Sequence, residues 1–304
     1  MDVPSTASPE HRSHDLLVVG HINIDHFIEV ESLPSADRTV PILERRKELG
    51  GTAATIARVA AREGLRVGLV SRLGDDFPPD FLDVLRGEKL DLEGLEFVKG
   101  VSSSACMIVE DRHGSQMTFI DQGPMTDASH APIPETVVNG STWVHLTTGD
   151  PAYQLRMAEL ARSLGCHVAA DPAQEIHYRW SSKELTRLLQ YSEMLFVNGS
   201  EAQRAARMMG VTSTKGLVRY VPLIVMTRGP RGAVAYFRGG METVPAAPGR
   251  RPHRLTGAGD AFRGGFYAAW IRGTPLRRAL IQGNRSAARW IRRGSQRTGS
   301  RGRK

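Results

Sequence analysis

Six apolar runs of strand length recur along this chain with helix-length segments between them. That alternation limits the fold more than any other feature of the sequence. The runs are DLLVVG (15–20), RVGLVS (66–71), WVHLT (143–147), HVAAD (167–171), MLFVN (194–198) and LIVMT (223–227). Most are near-continuous rather than alternating, the pattern of parallel strands covered on both faces. Helical patterns fill the intervals at 52–63, 79–86, 151–164, 181–190 and 200–209. The β-α-β-α order predicts an α/β fold, a three-layer αβα sandwich doubly wound around a mostly parallel sheet.

Two segments break the pattern. Residues 27–49 read as polar-alternating extended pieces around a turn at 34–37, and residues 104–121 as a hairpin turning at Arg112-His113-Gly114. They flank the first strand and the first helix, so they are expected to form a small β lid over the site rather than extend the main sheet. The expected layout is a single domain over residues 15–296, lid insertions at about 27–49 and 104–121, and flexible ends at 1–14 and 297–304.

Composition narrows the class. No apolar run among the 304 residues approaches the roughly 18 that a membrane span needs. The first fourteen residues are polar and lack the apolar core of a secretion signal. Cys106 and Cys166 are the only two cysteines, too few for a disulfide framework or a four-cysteine zinc site. A cytoplasmic globular protein with no membrane partner is expected. The net charge of +8 is local: residues 261–304 hold twelve Arg/Lys and no Asp/Glu, and the rest of the chain is mildly acidic. A basic tail can hold nucleic acid. Its only interleaved aromatic beyond the helix that opens the segment is Trp290, so a nucleic-acid partner ranks lowest. From Arg292 onward the Arg/Gly/Ser composition reads as a frayed tail.

The densest chemical signal is Thr256-Gly257-Ala258-Gly259-Asp260 at the start of an amphipathic helix carrying Phe262, Phe266, Ala269 and Trp270. Glycines at a helix start leave backbone N–H groups aimed into open space, and the helix dipole adds positive potential there. The result is an anion hole, with Asp260 beside it as a candidate general base for phosphoryl transfer. Ordinary helix capping explains Gly-Asp alone equally well. Near the N-terminus, Gly20-His21-Ile22-Asn23-Ile24-Asp25 closes the first strand. Asn23 and Asp25 share one face of an extended chain and can take vicinal sugar hydroxyls, or else serve local Asx turns. Gly50-Gly51-Thr52-Ala53-Ala54-Thr55 opens the next helix, again with glycines for close backbone approach. No P-loop, dinucleotide fingerprint, zinc spacing or nucleophile elbow occurs.

Five motifs in this order resemble the ribokinase-like (PfkB-type) carbohydrate and nucleoside kinases, over nearly the whole chain. G-H-I-N-I-D at 20–25 is similar to that family's sugar-binding strand, and G-G-T-A-A-T at 50–55 to its di-glycine substrate loop. T-G-A-G-D-A-F at 256–262 resembles its C-terminal signature. Asn198-Gly199-Ser200-Glu201 matches its N-x-x-E motif, and Thr227-Arg228-Gly229 its T-x-G nucleotide turn. The resemblance implies Asp260 as catalytic base and Gly257, Ala258 and Gly259 as the anion hole. It implies ATP near Asn198, Thr227, Gly229 and Thr256, and Mg²⁺ with Asn198 and Glu201 in its outer shell. It places the acceptor at Asn23, Asp25, Gly50, Gly51 and Thr55, with a lid that excludes water and often pairs two subunits.

Departures modify these expectations. Arg254 and Leu255 stand where the family usually has Asp-Thr, and in many members that Asp serves a monovalent-cation site, so potassium activation is in doubt. Thr55 replaces the usual Asn of the substrate loop. The strand ends HLTTGDP (145–151, with Asp150 a candidate substrate ligand) and DPAQ (171–174) look most like the nucleoside-kinase branch of archaea and some bacteria. Phe27, Met107 and Phe119 are candidate base contacts or lid core. The expected activity is ATP-dependent phosphorylation of a ribonucleoside 5′-hydroxyl. A ribose- or fructose-like sugar kinase and a catalytically impaired nucleotide or sugar sensor are the alternatives.

Overall fold

Leu16 and Val18 of the first strand belong to one apolar core, and Leu17 and Val19 to another. An extended chain alternates its side chains, so a strand apolar at every position must be covered on both sides. The computed structural model describes residues 12–248 and 256–299. In chain order they form β1 (His14–Val19), β2 (Asn23–Val30), β3 (Ile42–Gly50), α1 (Thr52–Arg62), β4 (Val67–Gly74), α2 (Pro79–Gly87), β5 (Asp91–Val98), β6 (Ala105–Asp111), β7 (Gln116–Asp121), α3 (Glu135–Asn139), β8 (Ser141–Leu146), α4 (Pro151–Ser163), β9 (His167–Ala170), α5 (Ser182–Tyr191), β10 (Met194–Asn198), α6 (Gly199–Met208), β11 (Leu223–Thr227), β12 (Ala233–Phe237), β13 (Gly240–Val244), α7 (Ala258–Trp270) and α8 (Leu276–Gly299).

The main sheet has nine strands in the order β13-β12-β11-β10-β9-β8-β1-β4-β5. It is parallel from β5 through β11, and β12 and β13 run antiparallel at one edge. Ile56 of α1, Leu85 of α2, Phe262 and Phe266 of α7 and Leu280 of α8 cover one face. Val138 of α3, Met157 of α4, Leu188 of α5 and Ala205 of α6 cover the other. This is the expected three-layer, mostly parallel architecture.

The second sheet has four strands in the order β3-β2-β6-β7. It gathers both pattern-breaking segments, and β2 pairs in parallel with β6 to join them. The turn between β6 and β7 is fixed by Asp111, whose Oδ1 accepts from the backbone of His113 and Ser115 at 2.9 Å.

Three placements differ from the sequence reading. The first strand stops at Val19, and Asn23 opens β2, so Asn23 and Asp25 lie on a lid strand rather than at the carboxyl end of the first strand. The chain is ordered before residue 15: β1 begins at His14, whose Nε2 meets Asp91 at 2.7 Å, and Arg12 donates to the Gly165 carbonyl. At the other end α8 runs on to Gly299, past the Arg292 where fraying was expected, and Leu276, Ala279, Leu280, Ile281 and Ala287 pack its earlier turns into the core. Residues 1–11, 249–255 and 300–304 lie outside the described residues, and Arg254 and Leu255 with them.

Candidate active site

The site forms where the start of β2, the start of α1 and the start of α7 converge. Asn23 and Asp25 alternate onto one face of β2, and both are buried. Their Oδ1 atoms have no protein partner. A buried acceptor without a donor is costly, so each is ready for a hydroxyl. β3 ends beside Asp25, and a methyl group on Gly50 would collide with the Asp25 carboxylate. Gly51 then starts α1 at φ 95°, with its Cα against the His21 carbonyl, a conformation and a distance that exclude any side chain. Burial pushes the Asp25 carboxyl up to about 7, helped by the charges of Glu48 and Asp260. Asp260 is thus among the charges that act on Asp25.

Gly257 is the N-cap of α7 at φ 77°, in the left-handed region. Among the described residues no side chain caps this helix, so its first turn presents the N–H groups of Ala258, Gly259 and Asp260 toward a ligand. Trp290 of α8 braces the turn: its indole N–H donates to the Thr256 carbonyl at 3.1 Å, and a Cβ on Gly257 would meet Nε1 at 2.9 Å. From the α1 side, Thr55 Cγ2 lies 3.5 Å from that same Cβ position. Asp260 keeps about a fifth of its side chain open, at 21%. Burial pushes its carboxyl up to about 7, against the pull of Arg263 and with the push of Asp171 and Glu201.

The nucleotide motifs lie side by side at the carboxyl ends of β10 and β11, where Asn198 is in register with Thr227. Asn198 and Glu201 form a reciprocal capping box on α6: Asn198 Oδ1 accepts from the Ser200 and Glu201 amides, and Glu201 Oε2 accepts from the Asn198 amide at 2.7 Å. Gly229 follows in a short helical turn at φ 55°. Among the described residues no three His, Cys, Asp or Glu side chains group to hold a metal ion. The oxygens of Asn198 and Glu201 are engaged in the α6 capping box, so they are placed to act on a phosphate-bound cation through water rather than as direct ligands.

Other expectations change in detail. Asp150 caps α4, its Oδ1 accepting from Ala152 and Tyr153. Phe27 shares the Asp25 face of the lid and is buried under Arg46, whose guanidinium stands 4.6 Å from the ring centre. Met107 and Phe119 pair with each other on the opposite face, because each is one strand position out of step with Asp25's neighbours Cys106 and Ile120. They turn away from Asp25 and are not placed to contact a base on its side of the lid.

Several buried groups had no role in the sequence reading. His21 Nε2 meets the Gln122 carbonyl at 3.2 Å, and burial lowers this imidazole to about 4, which keeps it neutral. Glu175 accepts from the Gly149 amide at 2.7 Å, and burial raises it to about 7. Beneath α7, Arg263, Asp171, His145 and Tyr267 form one buried polar chain. A strand-then-DP signal marks Asp171, but nothing in the local pattern singles out Arg263.

The family model for pfkB carbohydrate kinases matches residues 13–301. A nucleoside kinase of Methanothermobacter thermautotrophicus is 33% identical over 86% of this chain and 84% of its own length. A cytidine kinase of Thermococcus kodakarensis is 31% identical over 88% and 93%. Among solved structures, the nucleoside kinase of Methanocaldococcus jannaschii superposes with a TM-score of 0.84 at 25% identity, covering 92% of this chain and 93% of that one.

Proposed function

This chain belongs to the pfkB family of carbohydrate kinases, and from that premise we propose that it transfers the γ-phosphoryl group of ATP to the 5′-hydroxyl of a ribonucleoside. One observation carries the reading: the uncapped first turn of α7 offers free backbone donors beside Asp260, and Asp25 answers from the lid. The names of the nucleoside and cytidine kinases above support a nucleoside rather than a free sugar as acceptor.

The geometry supports a role for each residue. Asn23 and Asp25 take ribose hydroxyls through their unpartnered oxygens, and so fix the 5′-hydroxyl near Asp260. Asp260 accepts the hydroxyl proton as O5′ bonds to the γ-phosphorus. The bond from that phosphorus to the β–γ bridging oxygen breaks, and ADP leaves. The N–H groups of Ala258 and Gly259, with the dipole of α7, hold the charge spread over the transferred group. Mg²⁺, outside Asn198 and Glu201, would neutralise phosphate charge when bound. The lid excludes water, the competing acceptor. Phosphoryl transfer from Mg·ATP to a panel of nucleosides and free sugars tests this. Transfer to a nucleoside is expected. Transfer to sugars alone overturns the acceptor, and bound ATP without any transfer overturns the enzyme.

The same lid supports a homodimer. Met107, Met117 and Phe119 share the face opposite Asp25 and are 48%, 46% and 57% exposed. An apolar face of this kind is a liability in water unless it is covered. Sedimentation velocity is expected to show a dimer that Phe119→Glu converts to monomer; a monomeric wild type refutes it. Among the described residues no helix is long and apolar enough to cross a membrane. Both cysteines are free, which suits a cytoplasmic enzyme drawing on the ATP pool.

A further inference from the structure

A single guanidinium serves three carboxyl groups beneath the candidate phosphoryl site. Arg263 lies one turn after Asp260 on α7, with only 6% of its side chain exposed. From behind, its Nη2 donates to Asp171 Oδ1 at 2.7 Å, and its Nε lies against Asp171 Oδ2 as a charge contact without hydrogen-bond geometry. One charged hydrogen bond and a second close charge contact hold the guanidinium against Asp171. Asp171 is fixed in turn by His145 Nε2 at 3.2 Å, and His145 Nδ1 meets the Tyr267 hydroxyl at 2.9 Å, back on α7. The third nitrogen, Nη1, faces the site. It stands 3.9 Å from Asp260 Oδ1, and a Cβ on Gly259 would meet it at 2.9 Å.

An Arg is seldom buried unless it is paired. Here the charges facing Asp260 are Arg263 on its own helix, Asp171 after β9, Glu201 on α6 and, across the site, Asp25 on β2. Arg263 is the one cation in that set. Asp171, which burial alone would push up, is held below the usual carboxylate range by Arg263 and His145. Burial raises Glu201, and Arg263 opposes the rise.

We propose that Arg263, braced by Asp171, is the positioning residue that holds the Asp260 carboxylate charged and aimed at the acceptor hydroxyl. The proposal rests on the kinase reading for the role of Asp260. It goes beyond that reading by giving the base a fixed, buried counter-charge from within the same helix. Among the described residues, the other charges acting on Asp260 are acids, and each of them pushes its carboxyl further up.

The test uses the full chain with Arg263→Gln and Arg263→Lys. Two readouts are taken: the pH profile of kcat/KM with the best acceptor, and the titration of the Asp260 carboxyl carbon by NMR without substrate. In Arg263→Gln both midpoints are expected to rise by about one pH unit or more, with KM for ATP little changed. Arg263→Lys keeps the charge but loses the planar guanidinium that reaches Asp171 and Asp260 from two sides. It is expected to retain the wild-type midpoints while kcat falls about tenfold, a loss of aim rather than of charge. Wild-type midpoints in Arg263→Gln, or wild-type kcat in Arg263→Lys, overturn the proposal. If Arg263→Gln does not fold, the Lys variant alone decides on kcat and midpoint. If no acceptor is phosphorylated, the kinase reading fails, and the NMR titration still decides whether Arg263 governs Asp260.

Discussion

Asp260→Asn binds ATP with wild-type affinity and loses turnover by a factor of about 10² to 10⁴, the span general-base catalysis contributes. Asn has the shape of Asp and keeps the N–H groups of the α7 first turn in place, so the phosphate cradle persists. What it lacks is an oxygen able to take the hydroxyl proton. The pH dependence separates this loss from a structural one. Asp260 acts as carboxylate, and its carboxyl is pushed up to about 7. Wild-type kcat/KM should therefore fall as pH drops below about 7, and in Asp260→Asn this limb should shrink to the part that Asp25, also pushed up to about 7, contributes through acceptor binding. Equilibrium ATP binding and steady-state rates across pH check both halves. Normal turnover in the variant removes Asp260 from the mechanism.

Gly50→Ala raises the acceptor KM by about 10- to 100-fold, the worth of hydrogen bonds to a charged group, and leaves ATP affinity unchanged. The cause is local and steric. The new methyl group would occupy the position of the Asp25 carboxylate. Asp25 is held between β3 and β6, so the carboxylate must rotate away from the acceptor. Asp25→Ala should cost about as much, and the double variant little more than either single one, because both changes remove the same contact. Additive losses, or an unchanged KM, would show that the acceptor is bound elsewhere.

These two residues also illustrate what a sequence can convey. β1 and β10 were legible because a strand covered on both faces must be apolar at every position. β5 was not, since an edge strand half open to water mixes Asp91, Glu93 and Glu96 with its apolar residues. The β12–β13 hairpin escaped for a related reason: it lies at the other edge, where AVAYF and GMETV carry weak signals. Motif spacing singled out Asn23, Asp25 and Asp260, because their chemistry is local to a turn or a strand. It could not show that β2 leaves the main sheet, since that depends on the parallel pairing with β6 across 80 residues of chain. Arg263 was invisible as a functional group. On a helix, an Arg three residues after an Asp reads as a surface pair, and its real partner, Asp171, is 92 residues away. Asp150 shows the reverse case, a side chain in a plausible position whose oxygen is committed to the helix it starts.

That β2 carries Asn23 and Asp25 and is also an inner strand of the lid sheet has a mechanical consequence. On the proposed function, the groups that would grip the acceptor sit on a strand of the same sheet that covers it. Any movement of the lid carries both oxygens away from α7, and an acceptor held by them pulls the lid down. On that reading, acceptor binding would act as its own latch, and protection against wasting ATP on water would come from the molecule about to be phosphorylated.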